Sequence, residues 1–191
     1  MKGNDALLAL LRVFEEADFP YMIVDSYSSN FWGVPRSTND ADVVVHVPSE
    51  RWAEFPRMLP EGIELDDQMS FEMVTSTRRE ILRIEGTAFQ IERFRLSDDP
   101  HDRERFARRM SEEIFPGQQV FLPTAEDVIV QKLRWNASAK RSKDFADVVA
   151  VMQVQWKTLD WPYIEKWCAL HGTMGILGQA KAGAAPEDDA S

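Results

Sequence analysis

Residues 41–47, Ala-Asp-Val-Val-Val-His-Val, restrict the fold more than any other stretch. A run this rich in valine, stopped by Pro48, reads as a strand buried in a sheet. Two aspartates, Asp40 and Asp42, stand at its mouth. Desolvation penalises ionised carboxylates at the end of a buried strand, so these two need partners. Period-2 geometry puts them on the same side of the strand. Carboxylates so placed repel, and one tends to protonate unless a cation lies between them. Magnesium is the natural cation, because it prefers hard oxygen ligands and often combines one or two carboxylates with substrate phosphates. An isolated Asp-x-Asp is also common in solvated turns, so other segments have to agree with it.

The neighbouring pattern predicts a helix over 4–17, with Leu7, Leu8, Leu11 and Phe14 as its apolar stripe, and a short buried strand over 21–24. Residues 26–32 read as a turn or short helix. Ser49 caps a predicted helix over 50–59, ended by Pro60 and Gly62. Residues 79–85 and 88–96 read as two strands joined at Gly86-Thr87. Ser97-Asp98-Asp99-Pro100 breaks the chain before a helix over 102–110, and 120–122 is a last short strand. After Pro123 the pattern turns helical, with a capping-box-like start at Thr124 and helices over 124–135, 142–155 and 161–170. The expected fold is α/β (α+β): a small mixed sheet flanked by helices over 1–122, then a helical segment over 123–172 packed on it. Gly172, Gly175, Gly178 and Gly183 among alanines predict a flexible tail over 173–191.

At 191 residues with 44% hydrophobic content, a real core is expected. The single cysteine, Cys168, cannot form an internal disulfide, which fits a reducing, cytoplasmic setting. No apolar run has the length of a membrane span, and Asp5 and Arg12 interrupt the N-terminal one too early for a secretory signal. A formal net charge of −10 argues against non-specific DNA binding, which depends on neutralising phosphates. Arg103, Arg105, Arg108 and Arg109 alternate with acids and read first as a solvated helix face.

Further residues stand out by their positions. Glu92 falls mid-strand, where glutamate is disfavoured; its plain explanation is an exposed face or cross-strand pairing with Arg83. Lys132 falls inside the apolar stripe marked by Val128, Ile129 and Trp135, where it either snorkels to water or presents an ammonium to phosphates. Asp144 and Asp147, one helical turn apart, are placed to hold Lys132 or Arg141. Arg36 is either an exposed loop charge, a salt-bridge partner, or a phosphate contact.

The order Asp25-Ser26, Gly33, Pro35-Arg36, Thr38, Asp40-x-Asp42 resembles the signature of the nucleotidyltransferase superfamily with the polymerase-β-like fold. It is most similar to the prokaryotic branch of minimal nucleotidyltransferases and abortive-infection toxin relatives. Gln90-Ile-Glu92 resembles the strand of the third carboxylate, residues 122–133 the helix with the family lysine, and residues 141–147 its Lys-Asp-x-x-Asp element. The resemblance implies that Asp40, Asp42 and Glu92 bind one or two magnesium ions and that Glu92 helps deprotonate the acceptor. It implies that Ser26, with the amides of its turn, and Arg36, Thr38 and Lys132 bind the nucleotide. The implied activity is magnesium-dependent transfer of NMP from an NTP to a hydroxyl of RNA, protein or another acceptor. Two alternatives share the fold: a catalytically silent member of a toxin–antitoxin pair, with a cognate partner protein, and an antibiotic-type small-molecule nucleotidyltransferase. This chain departs from the family pattern twice. Glu92 replaces an aspartate, and Asp25 replaces a glycine that lets backbone approach the phosphates.

Overall fold

Residues 2–66, 70–71, 77–139 and 142–186 are described by the computed structural model. The chain divides into two units, Met1–Val24 with Thr38–Ala107 and Asp25–Ser37 with Arg108–Ser191. The expected boundary after residue 122 is therefore replaced by a discontinuous one.

The first unit is built on a mixed sheet. Strand β1 (Tyr21–Val24) lies antiparallel to β2 (Asp40–Val45), which runs parallel to β6 (Gln90–Arg95). β6 is antiparallel to β5 (Arg78–Ile84), which also pairs with β3 (Ile63–Leu65) and the short β4 (Ser70–Phe71). The valine run lies next to the middle of this sheet, and Ala41–Val45 is buried throughout, as its composition requires. Helix α1 (Gly3–Glu16) buries Ala6, Leu7, Leu10, Leu11 and Phe14, a stripe of helical spacing. Phe14 meets Tyr21 and Phe55, with ring centroids 5.9 and 5.8 Å apart. Arg93 is buried too. It pairs with Glu80, its register partner on β5, and its guanidinium lies 3.4 Å from the centroid of Phe55. Burial pulls Arg93 well below the usual arginine range, to about 9, with Arg78 and Arg95 adding like charge.

Of two helix expectations in this unit, one fails and one shifts its bounds, both for local reasons. Residues 50–59 form no continuous helix but two 3-10 turns, Ser49–Arg51 and Phe55–Arg57. Pro56 lacks an N–H and clashes with the carbonyl four residues back. Helix α3 (Pro100–Ala107) starts earlier than the pattern predicts, because the Asp99 carboxylate accepts from the amides of His101 and Asp102. Arg105 is not on a solvated face; it is buried and bonded to Asp102 at 2.8 Å.

The second unit contains α2 (Ser26–Trp32), a hairpin of β7 (Met110–Phe115) and β8 (Gln118–Leu122), and helices α4 (Ala125–Ala139), α5 (Ser142–Gln155), α6 (Trp161–His171) and α7 (Met174–Ala184). Its core joins Val128, Ile129 and Leu133 of α4 to Val148, Val151 and Met152 of α5 and Ile164 and Cys168 of α6. Trp32 packs against this cluster and donates its indole N–H to the Pro123 carbonyl at 2.9 Å, which helps place α2 in this unit. Thr124 caps α4 as expected, exchanging hydrogen bonds with Asp127. The tail expectation is corrected: residues 174–184 are helical and bury Leu177, Ala180 and Ala184. That stripe supplies packing that outweighs the poor helix propensity of Gly175, Gly178 and Gly183.

Candidate active site

The first unit carries the acidic row. In the parallel pairing of β2 and β6, Asp40 lies opposite Gln90 and Asp42 opposite Glu92. Residues in register on neighbouring strands share a face, so Asp40, Asp42 and Glu92 occupy one side of the sheet. Asp42 is buried, whereas Asp40 and Glu92 are half-buried. Thr38 Oγ1 donates to Asp40 Oδ1 at 2.5 Å, and Arg79 Nη2 donates to Glu92 Oε1 at 2.6 Å. The cross-strand partner of Glu92 is thus Arg79, not Arg83, which instead binds Asp66 at 2.6 Å.

The second unit carries a buried cation network. Lys132 is 1% exposed, and its ammonium bonds Asp25, Asp144 at 3.3 Å and Asp147 at 2.9 Å. The snorkelling alternative is therefore excluded. Arg36 makes a bidentate pair with Asp147, with Nε to Oδ1 and Nη2 to Oδ2 both at 2.8 Å. The same Nη2 donates to Ser26 Oγ at 3.1 Å. Asn30 holds the Arg36 backbone on both sides, donating to its carbonyl at 2.7 Å and accepting from its amide at 3.0 Å. Burial alone would raise the Asp147 pKa, but hydrogen bonds from Arg36 and the charge of Lys132 bring it down to about 2. Burial likewise opposes the charge on Lys132, yet Asp25 and Asp147 raise its pKa above the ordinary lysine value.

Asp25 initiates α2 at φ 51°, ψ −122°, a region that favours glycine. Its carbonyl accepts from the Ser29 amide at 2.9 Å and from the hydroxyls of Ser28 and Ser29 at 2.9 and 3.1 Å. The turn holds a backbone conformation that favours glycine while carrying a carboxylate. At the other end of α2, a Cβ on Gly33 would lie 2.9 Å from the Val151 amide nitrogen and 3.1 Å from the Ala150 carbonyl carbon. Only glycine lets α2 approach α5 so closely.

The oxygens of Asp25, Asp144 and Asp147 lie within 4.8 Å of one another, a spacing that fits a metal ion. The Lys132 ammonium bonds all three, so here a cation of the chain itself meets their charge.

The expected site residues thus form two sets. Asp40, Asp42, Glu92 and Thr38 belong to the first unit, and Ser26, Arg36 and Lys132 to the second. Sequence reasoning anticipated Asp144 and Asp147 as anchors of Lys132, but missed Asp147 as the partner of Arg36, and missed Arg79 and Asn30. Arg141 lies outside the described residues. An Arg79 signal was present, since it and Glu92 alternate onto one face of a predicted hairpin.

No protein-family model and no curated protein matches the sequence. Solved structures match by shape. One is ANT(2'')-Ia in complex with adenylyl-2''-tobramycin, at TM-score 0.60 and 13% identity over 88% of this chain and 96% of that one. Another is an antigenic nucleotidyltransferase-like protein from Paracoccidioides brasiliensis, at TM-score 0.54 and 16% identity over 92% and 88%. The lincomycin-bound lincosamide antibiotic adenylyltransferase LnuA follows at TM-score 0.51 and 13% identity over 78% and 96%. The chain has the nucleotidyltransferase fold, as its motifs imply.

Proposed function

We propose that this chain transfers NMP from an NTP to a hydroxyl group, with magnesium held by Asp40, Asp42 and Glu92. The in-register placement of Asp42 and Glu92, with Asp40 two residues earlier on the same face, carries this reading. Three carboxylates on one face form a hard-oxygen donor set suited to magnesium. When bound, magnesium would neutralise phosphate charge and orient the triphosphate. Thr38 and Arg79 fix the rotamers of Asp40 and Glu92, so the donors are held before substrate arrives. Ser26, Arg36, Thr38 and Lys132 are proposed to contact the nucleotide.

For the acceptor, a small hydroxylated molecule stands beside RNA and protein. Its support is that two proteins of this fold carry adenylyl-tobramycin and lincomycin in their structures. The test is incubation with labelled ATP, CTP, GTP and UTP and a panel of aminoglycosides, lincosamides, RNA and protein. Magnesium-dependent labelling of one acceptor, reduced at least 100-fold in Asp42→Asn, is expected. Absence of labelling across the panel, or labelling undiminished in Asp42→Asn, overturns the proposal. One observation favours a second reading, a silent protein of this fold: the Lys132 ammonium is already bonded to three carboxylates.

A further inference from the structure

The Lys132 ammonium has three N–H donors. Three carboxylates, those of Asp25, Asp144 and Asp147, surround it. An incoming phosphate therefore finds this lysine saturated. Charge balance points the same way. Lys132 and Arg36 are already matched by Asp144 and Asp147, and Asp25 adds one surplus negative charge.

The three carboxylates are not equally committed. The side chains of Asp144 and Asp147 are 1% and 7% exposed, and that of Asp25 is 13% exposed. Asp147 is also locked by the bidentate pair with Arg36 and accepts from Ser29 at 3.3 Å. Asp25 alone of the three sits in a glycine-favoured backbone region, so the contact it makes is held against strain. Asp25 is thus the most exposed of the three partners and the one whose backbone is strained.

We propose that Asp25 is an internal anion that competes with substrate phosphates for Lys132 and thereby sets the chain's affinity for triphosphate. The inference rests on the proposed function only for the place of Lys132 beside the phosphates. Asp25 is a specificity-setting residue rather than a catalytic one.

The test is titration of the full chain with sodium tripolyphosphate, by calorimetry and by following the side-chain ammonium ¹⁵N signal of Lys132. Three proteins are compared: the unmodified chain, Asp25→Gly and Asp25→Asn. The glycine variant removes charge, bulk and strain together, whereas the asparagine variant removes only charge. Tripolyphosphate is expected to bind both variants about tenfold tighter than the unmodified chain, with the Lys132 signal shifting on binding. Equal or weaker binding in both variants, including no detectable binding in any of the three, overturns the proposal. So does tighter binding that leaves the Lys132 signal unmoved. Tighter binding without NMP transfer would retain the role of Asp25 and remove the enzymatic reading, so the two failures are distinguishable.

Discussion

Asp25 shows how two opposing effects meet in one residue. Its backbone occupies a region that costs a non-glycine residue about 1–3 kcal/mol. Its carboxylate meets a buried ammonium, which offsets that cost. Substitution separates the two. Asp25→Ala keeps the strain and loses the ion pair, whereas Asp25→Gly loses both. The glycine variant is expected to be more stable than the alanine variant by about 1–2 kcal/mol in urea denaturation. Equal stability would show that the turn carries no strain. Asp147 is the opposite case, a carboxylate with every partner favourable. Asp147→Asn leaves Lys132 buried with less compensation and keeps only one oxygen to accept from Arg36, so the bidentate pair is lost. A loss of about 2–3 kcal/mol is expected in the same measurement, below the full cost of breaking a buried pair because Arg36 is partly exposed.

At the scale of elements, α2 is the piece on which the second unit's cation network depends. It is short, so packing rather than helix propensity has to hold it. Gly33 supplies the close approach to α5, and Gln155 of α5 donates to the Trp32 carbonyl at 3.0 Å. Gly33→Ala puts a methyl group against backbone atoms, which cannot rotate away. It is expected to cost about 1–3 kcal/mol and to speed amide exchange in α2 and α5, measured by hydrogen–deuterium exchange. Helix α1, with its strong periodicity, and α4, with its capping residue, were legible from sequence. The helix expected over 50–59 was not, because its cap and stop signals are outweighed by Pro56 inside it. β7 was missed because Glu112 and Glu113 mask the strand pattern, and its pairing with β8 is what stabilises it. α7 was missed because its glycines signal a loose chain, whereas the burial of Leu177, Ala180 and Ala184 is a tertiary property.

Across the whole molecule, residue patterns made the acids legible one at a time, and only the family resemblance joined Glu92 to Asp40 and Asp42. Asp40 and Asp42 share a face by period alone, but that Glu92 stands beside Asp42 depends on the parallel register of β2 with β6. The cation network is further from view, since Asp25 and Lys132 are 107 positions apart in the chain. That network also imposes a pH signature on the folded state. The pKa of Asp147 falls from 3.8 to about 2, so it contributes stability that is present above its unfolded value and lost as pH falls through the folded one. Lys132 is raised above 10.5, so its contribution is complete below that value and lost only at still higher pH. Comparing the unmodified chain with Asp147→Asn removes the effect of other carboxylates. The stability gap between them is expected to be constant from about pH 9 down to about pH 5, then to shrink by about 2 kcal/mol on approaching pH 2. Urea midpoints measured across that range test it, and a gap unchanged between about pH 5 and pH 2 would mean that Asp147 is not held ionised by Arg36 and Lys132.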